Sequence, residues 1–388
     1  MKRLAKLAAT LSPLALLASC GSGYSTGEDT GEAVSTPAPT DEFAGFATTV
    51  HGKYNEPWAA AFVPGTDIIV ITEKSGSIRG YRTGEYKRAI FFEGVPEVDY
   101  GGQGGLGDVA FLESEAGMPL SGRTIYLSWV EAGEGDTRGA VVGRGKLLCE
   151  EHQTCAIQDM SVIWRQSPKT DGRGHYSHRI LFSPDERYMF VASGDRQKLE
   201  PAQDRSNTLG SIVRLNLDGT AAAGNPFGDE IWSYGHRNIL GMDFDAEGRL
   251  WEVEHGPKGG DELNLVRRGA NYGWPTRSNG VHYNDDPITD HSADDGFAKP
   301  VVGWTPVIAP GNMTILEGDL FSAWKGDAII SGLRSQALVR VSFDGTTARE
   351  AARYDMGKRI RSVIEGPDGA LWVLENGEGG RLLELRPG

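Results

Sequence analysis

One repeated unit limits the fold of this chain more than any other feature: a polar turn followed directly by a short apolar strand. It recurs six times, and the strands it introduces cover residues 68–72, 124–130, 188–192, 250–253, 327–331 and 370–374. Their spacing of about 60 residues is typical of a four-stranded antiparallel blade with some long loops. We therefore predict an all-β, six-bladed β-propeller of four-stranded antiparallel blades, with an irregular β-sandwich as the alternative.

Sustained helical periodicity is nearly absent, which supports this prediction. The chain contains 53 glycines and 19 prolines, and both residue types favour turns over helix interiors. After most of the repeated strands a second short strand follows a turn, for example at 77–81, 211–217 and 337–343. Radial packing of such units would leave only short, protected sheet edges.

The first residues predict an exported protein. Lys2, Arg3 and Lys6 precede an apolar run, 7–17, that is too short to span a bilayer as a stable anchor. Small residues then lead to Cys20, which resembles the bacterial lipobox cysteine that carries lipid; the alternative is an ordinary signal peptide with a chance cysteine. Lipid chains on Cys20 would hold the protein at a membrane surface, and we predict no other membrane contact.

These observations divide the chain into three parts. We predict a lipoprotein signal peptide at 1–20, a flexible tether at 21–43 and the propeller at 44–388. The tether is dominated by Gly, Ser, Thr, Pro and acidic residues, which bury too little apolar surface to become ordered. No Asp follows Cys20, so the expected location is the periplasmic side of the bacterial outer membrane.

Charge and cysteine usage limit the class of partner. The chain carries 53 acidic against 39 basic residues, which argues against a nucleic-acid partner, because that would need a concentrated basic face. A neutral or weakly charged small molecule fits better. Cys149 and Cys155 are close enough to form a disulfide in an oxidising periplasm. A metal pair is the alternative, but it lacks further ligands at suitable spacing.

Four loops are more polar and glycine-rich than a turn requires, and in a propeller such loops meet at one end of the central channel. They cover residues 101–106, 172–175, 234–238 and 254–262. His175 is a candidate general base, since a neutral imidazole accepts a hydroxyl proton near physiological pH, with Asp195 as the carboxylate that orients it. His236 and His255 compete for the same role on equal grounds.

Two groups in these loops suit charged ligands. Arg237 with Asn238 offers a guanidinium and an amide for a carboxylate or for developing negative charge; the alternative is a salt bridge to one of the many acids. The last loop offers the all-oxygen surroundings that calcium prefers. Its donors are the side chains of Glu254, Asp261 and Glu262 and the carbonyls of Gly256 and Pro257.

Taken together, these loops resemble the soluble PQQ-dependent sugar dehydrogenases, the aldose or glucose/sorbosone dehydrogenase family of six-bladed propellers. The resemblance runs from residue 57 to residue 385 and rests on several ordered motifs. They are 102–106, 172–175, 193–196, 202–204, 231–238, 254–257, 259–264, 271–275, 304–310 and 359–363.

The resemblance implies PQQ- and calcium-dependent oxidation of an aldose sugar at its anomeric carbon, giving a lactone. His175 matches the base that takes the hydroxyl proton while hydride passes to the quinone, Asp195 matches its orienting carboxylate, and Arg237 would stabilise developing charge. The implied cofactor contacts are Gln103, Arg237, Asn238, Arg359 and Arg361. The carbonyls of Gly256 and Pro257 match ligands of the cofactor calcium, Glu262 and Tyr272 match a second, structural calcium site, and Trp304 matches an aromatic at the substrate mouth.

Two positions depart from the family pattern. Arg334 stands where many members carry a lysine that contacts the cofactor, and the two side chains differ in reach, so the affinity for PQQ is open. Gly107 follows Leu106 where a second apolar residue is common, which we expect to loosen the loop beside Gln103. Neither departure removes a catalytic group.

Two other functions stay open at this stage. A calcium-dependent propeller lactonase or hydrolase would need a cage of carboxylates and Asn at the channel, whereas the candidates here are rich in Arg and His. A non-catalytic binding propeller would be expected to lose His175 or Arg237, and both are present. Besides the sugar, the partner that we predict is an electron acceptor of unidentified kind.

Overall fold

The computed structural model describes residues 43–150 and 154–388, so the predicted signal peptide, Cys20 and nearly all of the tether lie outside the described residues. Residues 44–388 form one compact unit of β-strands. The strands are β1 (Phe46–Asn55), β2 (Pro57–Phe62), β3 (Ile68–Glu73), β4 (Ser77–Arg82), β5 (Arg88–Glu93), β6 (Leu106–Ala110), β7 (Thr124–Ala132), β8 (Arg138–Cys149), β9 (Thr154–Arg165), β10 (Ser177–Phe182), β11 (Tyr188–Ser193), β12 (Ser211–Asn216), β13 (Ile231–Tyr234), β14 (Ile239–Phe244), β15 (Leu250–Glu254), β16 (Asp261–Leu265), β17 (Val302–Trp304), β18 (Pro310–Ile315), β19 (Ala328–Gly332), β20 (Ala337–Asp344), β21 (Thr347–Asp355), β22 (Ile360–Glu365), β23 (Leu371–Glu375) and β24 (Glu378–Pro387). Short 3₁₀ turns cover Glu113–Glu115, Glu200–Gln203 and Ser322–Trp324.

The strands introduced by the repeated turn are confirmed, and they are buried along most of their length. They are β3, β7, β11, β15, β19 and β23. In β3, for example, Ile69 and Ile71 pack in the same cluster as Trp372, whereas Val70 on the opposite face packs in the same cluster as Ile125. Because alternate side chains of a strand point to opposite faces, a strand covered by neighbouring sheets on both sides must be apolar along its length.

The strands pair into four four-stranded sheets and one eight-stranded sheet. The four-stranded sheets are β10–β13, β14–β17, β18–β21 and β22–β24 with β1. The eight-stranded sheet consists of two antiparallel halves, β2–β5 and β6–β9, which join where β5 pairs in parallel with β9. The all-β class and the four-stranded antiparallel sheets predicted from the sequence are thus confirmed.

The innermost strands form a closed ring. Each of β2, β6, β10, β14, β18 and β22 contacts the next, and β22 contacts β2. At the outer edge of the last sheet, β1 pairs with β24, so both ends of the described chain complete the same sheet. The sheets are therefore arranged like the blades of a propeller around a central channel.

One buried arginine ties the inner strands together inside this channel. The Arg179 guanidinium contacts the Asp108 carboxylate at 3.1 Å and donates to the carbonyls of Leu240 at 2.6 Å and Gly311 at 2.8 Å. Its Cζ atom also lies 3.9 Å from the centroid of the Trp58 ring. Five inner strands therefore meet at one side chain, which holds the channel rigid next to the candidate site.

Two local predictions concern the second half of the eight-stranded sheet. Cys149 and Cys155 form a disulfide that links β8 to β9. Gly107 lies within β6 and is buried, so the expectation that it loosens a loop is wrong.

None of the helical turns in the described part of the chain has the length and apolar character that a membrane-spanning helix needs.

Candidate active site

A polar cavity of about 180 Å³ lies at one end of the channel. Four of the residues predicted to contact a cofactor line it: Gln103, Asn238, Arg359 and Arg361. They come from three sheets, since Arg359 and Arg361 both lie at the start of β22, and the propeller-like ring brings these segments to one place.

His175 stands directly before three residues that line this cavity, and its backbone N–H and Nδ1 are both hydrogen-bonded. Its Nδ1 contacts the Asp195 Oδ1 atom at 2.7 Å, and its backbone N–H donates to Gln103 Oε1 at 2.7 Å. The other oxygen of Asp195 accepts a hydrogen bond from Trp274 Nε1 at 2.7 Å, which holds the carboxylate in place. Since an ionised carboxylate only accepts, Nδ1 carries the proton and Nε2 keeps its lone pair.

The protonation states of this pair suit a general base. Burial lowers the pKa of His175, the hydrogen bond to Asp195 acts against this, and the nearby Arg237 lowers the pKa further. Burial opposes ionisation of Asp195, but the hydrogen bond from His175 and the charges of His175 and Arg237 hold its pKa below the usual value. At neutral pH the pair is therefore a neutral imidazole and a carboxylate.

The structure separates His175 from the two histidines that competed with it. Burial alone would lower the pKa of His236, but Glu252 and Glu254 outweigh it and raise the pKa to about 9, so this ring is a cation at neutral pH. Burial lowers the pKa of His255 to about 3, and its Nε2 donates to the Pro310 carbonyl at 2.7 Å. His175 is the one that combines a neutral ring with a carboxylate on Nδ1.

Arg237 holds its positive charge beside His175 without a carboxylate partner. Its Nη1 donates to the His255 carbonyl at 3.1 Å, its Nη2 contacts the Tyr283 hydroxyl at 3.4 Å, and its buried Nε has no hydrogen-bond partner. Among the described residues no acid forms a salt bridge with it, so the alternative weighed in the sequence does not occur. The guanidinium can therefore stabilise negative charge that appears near His175.

Two guanidinium groups line the first cavity, and neither forms a salt bridge with any described residue. Arg361 donates from Nε and Nη2 to the Asn376 Oδ1 atom at 3.0 and 2.9 Å, and Arg359 lines the same cavity. Burial, with repulsion from Arg179 and Arg359, lowers the pKa of Arg361 to about 9. A guanidinium without an acidic partner, such as that of Arg361, is costly where it is desolvated, so the cavity fits a ligand that carries carboxylates.

The predicted calcium ligands surround a second, smaller cavity, which Arg237 lines, whereas Arg237 is not in the lining of the first cavity. Gly256, Pro257, Glu262 and Tyr272 all line it. A Cβ atom at Gly256 would lie 2.2 Å from a neighbouring backbone oxygen, so this tight loop requires glycine. The Tyr272 hydroxyl is already bonded, since it donates to the Leu265 carbonyl at 2.6 Å.

Three buried acids, Glu252, Glu254 and Glu262, concentrate carboxyl groups in this region. Glu252, Glu254 and His236 each offer a ligand atom, and these atoms lie within 4.8 Å of one another. Burial, together with the charge of Glu254, raises the pKa of Glu262 well above its usual value. Oε2 of Glu252 and Oδ1 of Asn264 are buried without a hydrogen-bond partner. This oxygen-rich donor set fits a divalent cation such as calcium.

Two predicted residues lie elsewhere. Arg334 is exposed, and its neighbour Leu333 lines the cavity in its stead. Trp304 is 5% exposed, packs in the core cluster that contains Trp251, and donates from Nε1 to Glu350 at 2.7 Å. The structure therefore brings neither side chain to the lining of the cavity.

Several other residues that no motif in the sequence indicated also line the cavity. Lys74 lines it and donates to the Gly102 carbonyl at 2.9 Å, and Trp58, Tyr176 and His178 line it as well. Tyr176 and His178 stand directly after the motif that contains His175, which is the signal that could have drawn attention to them. Lys74 and Trp58 carry no such signal, because they belong to ordinary strand ends.

The whole of this architecture matches known proteins. The family model described as Glucose / Sorbosone dehydrogenase matches residues 54–384. The aldose sugar dehydrogenase YliI of Escherichia coli (strain K12) is 35% identical over 346 residues, which are 86% of this chain and 91% of that protein.

Solved structures give the same picture. The soluble aldose sugar dehydrogenase of Escherichia coli in its apo-form superposes with a TM-score of 0.81 at 34% identity, covering 88% of this chain and 100% of that one. The PQQ-bound aldose sugar dehydrogenase of Streptomyces coelicolor superposes with a TM-score of 0.72 at 27% identity, covering 88% of this chain and 98% of that one.

Proposed function

The chain belongs to the glucose/sorbosone dehydrogenase family, and from this premise we propose that it oxidises aldose sugars at the anomeric carbon to lactones, using PQQ and calcium. The observation that carries the proposal is the buried His175–Asp195 pair, with a 2.7 Å contact, beside a cavity lined by unpaired guanidinium groups. PQQ, when bound, supplies a quinone that accepts a hydride from the sugar carbon.

In this proposal His175 acts as the general base. Its Nε2 lone pair takes the proton of the anomeric hydroxyl, while the C–H bond of the same carbon breaks with its electron pair and a C=O bond forms. Asp195 holds the ring in the required tautomer and stabilises the imidazolium that results. Arg237 stabilises negative charge that develops near His175.

The other cavity residues hold the cofactor. Arg359 and Arg361 supply the positive charge that its carboxylates need, and guanidinium groups suit carboxylates because they present parallel N–H donors. Gln103 and Asn238 supply polar contacts beside them. Lys74, which has a primary amine in the same lining, adds a cation that the sequence analysis did not anticipate.

We propose that calcium binds next to this site. The carbonyls of Gly256 and Pro257 are suitable ligands for a cofactor calcium, because both residues line the second cavity together with Arg237. Glu262 and Tyr272 belong to the proposed structural calcium site. The high pKa of Glu262 supports this, since a buried carboxylate without a cation resists ionisation.

Three further elements complete the proposal. We count the two antiparallel halves of the eight-stranded sheet as separate blades, which makes the propeller six-bladed, with 44–388 as its domain. We propose that residues 1–20 are a lipoprotein signal peptide and 21–43 a tether. Lipid on Cys20 would anchor the enzyme to the periplasmic side of the outer membrane, where it passes electrons to an acceptor.

The test is reconstitution of the domain that starts at residue 44. We expect reduction of an artificial dye by aldoses that requires both PQQ and calcium, and that is lost in His175→Ala. The matched control is His51→Ala, because His51 contacts Glu384 in the last sheet, away from the cavity. Failure of the wild-type domain to bind PQQ would refute the proposal, and turnover of lactones without PQQ would favour the hydrolase alternative.

A further inference from the structure

Gly107 and His178 lie on neighbouring inner strands, and the His178 ring fills the space that a side chain at position 107 would need. A Cβ atom at Gly107 would lie 2.0 Å from Cε1 and 2.1 Å from Nδ1 of the His178 ring. Any side chain at position 107 would therefore displace the imidazole. The glycine that departs from the family pattern is the residue that makes room for this histidine.

The His178 ring is held firmly where Gly107 admits it. The side chain belongs to a residue that is 1% exposed, and its ring lies 4.7 Å from the Trp58 ring, centroid to centroid, at an angle of 32°. The backbone of His178 has φ +50°, a left-handed conformation that costs energy for a residue with a Cβ atom. His178 lines the central cavity in this conformation.

A hydrogen-bond chain determines which ring nitrogen carries the proton. Ser128 Oγ accepts the backbone N–H of Asp108 at 2.7 Å and lies 2.9 Å from His178 Nδ1. The buried hydroxyl also needs an acceptor, and His178 Nδ1 is the one within reach among the described residues. The hydroxyl therefore donates to Nδ1, which leaves the proton of the neutral ring on Nε2.

The ring stays neutral in the physiological range. Burial, with repulsion from Arg179 and Arg196, lowers the pKa of His178 to about 3. Its Nε2 is buried and has no hydrogen-bond partner among the described residues. Because His178 lines the cavity, a bound ligand is the candidate acceptor for this N–H.

We propose that His178 is a ligand-binding residue of this chain: its Nε2–H donates a hydrogen bond to an acceptor atom of the anionic compound held between Arg361, Asn238 and His178. The inference rests on the proposed function, under which that compound is PQQ. It gives Gly107 a role in cofactor binding, because this glycine leaves room for the His178 ring. The sequence alone did not indicate that role.

The first measurement is independent of any ligand. Two-bond ¹H–¹⁵N spectra of the cofactor-free domain should show His178 as the neutral tautomer with the proton on Nε2. The His178→Gln variant removes the His178 signals and so assigns them. A proton on Nδ1, or a charged ring at pH 6, would overturn the inference.

The second measurement is the dissociation constant of PQQ in the presence of calcium, followed by calorimetry. We expect His178→Ala to weaken binding about tenfold, the effect of losing one buried hydrogen bond. His178→Gln should bind more tightly than His178→Ala, because its amide nitrogen lies near the position of Nε2. The matched control is His51→Gln, which replaces a buried histidine outside the cavity and should bind PQQ like the wild type.

A double variant separates binding from packing. In Gly107→Leu/His178→Gly an apolar side chain takes the space of the imidazole, and the Ser128 hydroxyl, 2.8 Å from the new Cβ atom, must turn away. The melting temperature should therefore recover in part relative to His178→Gly, while PQQ affinity stays low. This variant also serves if His178→Ala does not fold. If the double variant or His178→Ala binds PQQ as tightly as the wild type, the role assigned to His178 is wrong, but the proposed function stands. If the wild type does not bind PQQ, both the proposed function and the role of His178 are wrong.

Discussion

Replacement of Asp195 by Asn tests the central pair most directly. The Asp195 carboxylate accepts three buried hydrogen bonds: from His175 at 2.7 Å, from the backbone of Gln197 at 2.9 Å and from Trp274 at 2.7 Å. An Asn side chain has one oxygen and one NH₂ group. In either orientation of the amide, its NH₂ group faces at least one N–H donor whose hydrogen bond the carboxylate accepted.

The two orientations have different consequences for the base. With the amide oxygen toward Trp274, the NH₂ group faces His175 Nδ1 and forces the proton onto Nε2, so the ring can no longer accept the sugar proton. General bases contribute about 10²–10⁴-fold to rate, and a wrong tautomer removes this contribution. We therefore expect kcat of Asp195→Asn to fall about 10³-fold or more, with the affinity for PQQ unchanged.

Removal of the competing donor should reverse part of the loss. In Asp195→Asn/Trp274→Phe the amide oxygen can turn toward His175 without leaving an indole N–H unpaired, and the Nδ1–H tautomer returns. We expect this double variant to recover at least about tenfold in kcat, the equivalent of one buried hydrogen bond. The assay is dye-linked turnover at saturating sugar and PQQ, with Trp274→Phe as control. A kcat for Asp195→Asn within tenfold of the wild type, with normal PQQ binding, would contradict this account of the pair.

Further predictions address charge, metal and pH. Arg361→Ala should weaken PQQ binding by about tenfold or more in calorimetry. Arg334→Ala should leave PQQ binding unchanged, since Arg334 is exposed. An equal loss of PQQ affinity in the two variants would contradict the placement of Arg361 in the cavity and of Arg334 outside it. Calcium should raise the melting temperature of the wild type more than that of Glu262→Gln, measured by scanning calorimetry, because the ion neutralises a buried carboxylate. In calcium-free protein, the pKa of His236 is raised to about 9 from an unfolded value near 6.5. Its stabilising contribution is therefore complete below pH 6.5 and is lost as pH rises through 9, so the free energy of unfolding in urea should fall in this interval, and less so in His236→Gln. Because burial lowers the pKa of His175, kcat/KM should fall on acidification only below pH 6.5.

The fold was largely predictable because its signals are local. The repeated turn and apolar strand identified the second strand of every antiparallel unit, since turn chemistry and a continuous apolar run depend only on neighbours in sequence. The parallel pairing of β5 with β9, which merges two units into one sheet, was not predicted. It joins two outer strands separated by three others, and no local pattern records which edges meet.

The site was predictable as a set of motifs but not as an arrangement. The sequence marked His175, His236 and His255 equally, because each stands in a polar, glycine-rich loop. Their roles diverge only when distant chain segments supply a carboxylate to Nδ1 of one ring, two acids to another and a backbone carbonyl to the third. Likewise, the motifs containing Arg334 and Trp304 could not reveal that one side chain is exposed and the other lies in the core.

The sequence by itself determined the strand units, the polar loops that carry the chemistry and the residue types available to bind and react. The tertiary structure decided which of these groups are neutral, which are charged and which lack a partner. The physical reason is that pKa and hydrogen-bond satisfaction depend on burial and on groups that folding brings within a few ångströms. Gly107 and His178 show this most clearly, because a missing side chain on one strand becomes meaningful only where the ring from the next strand fills the space.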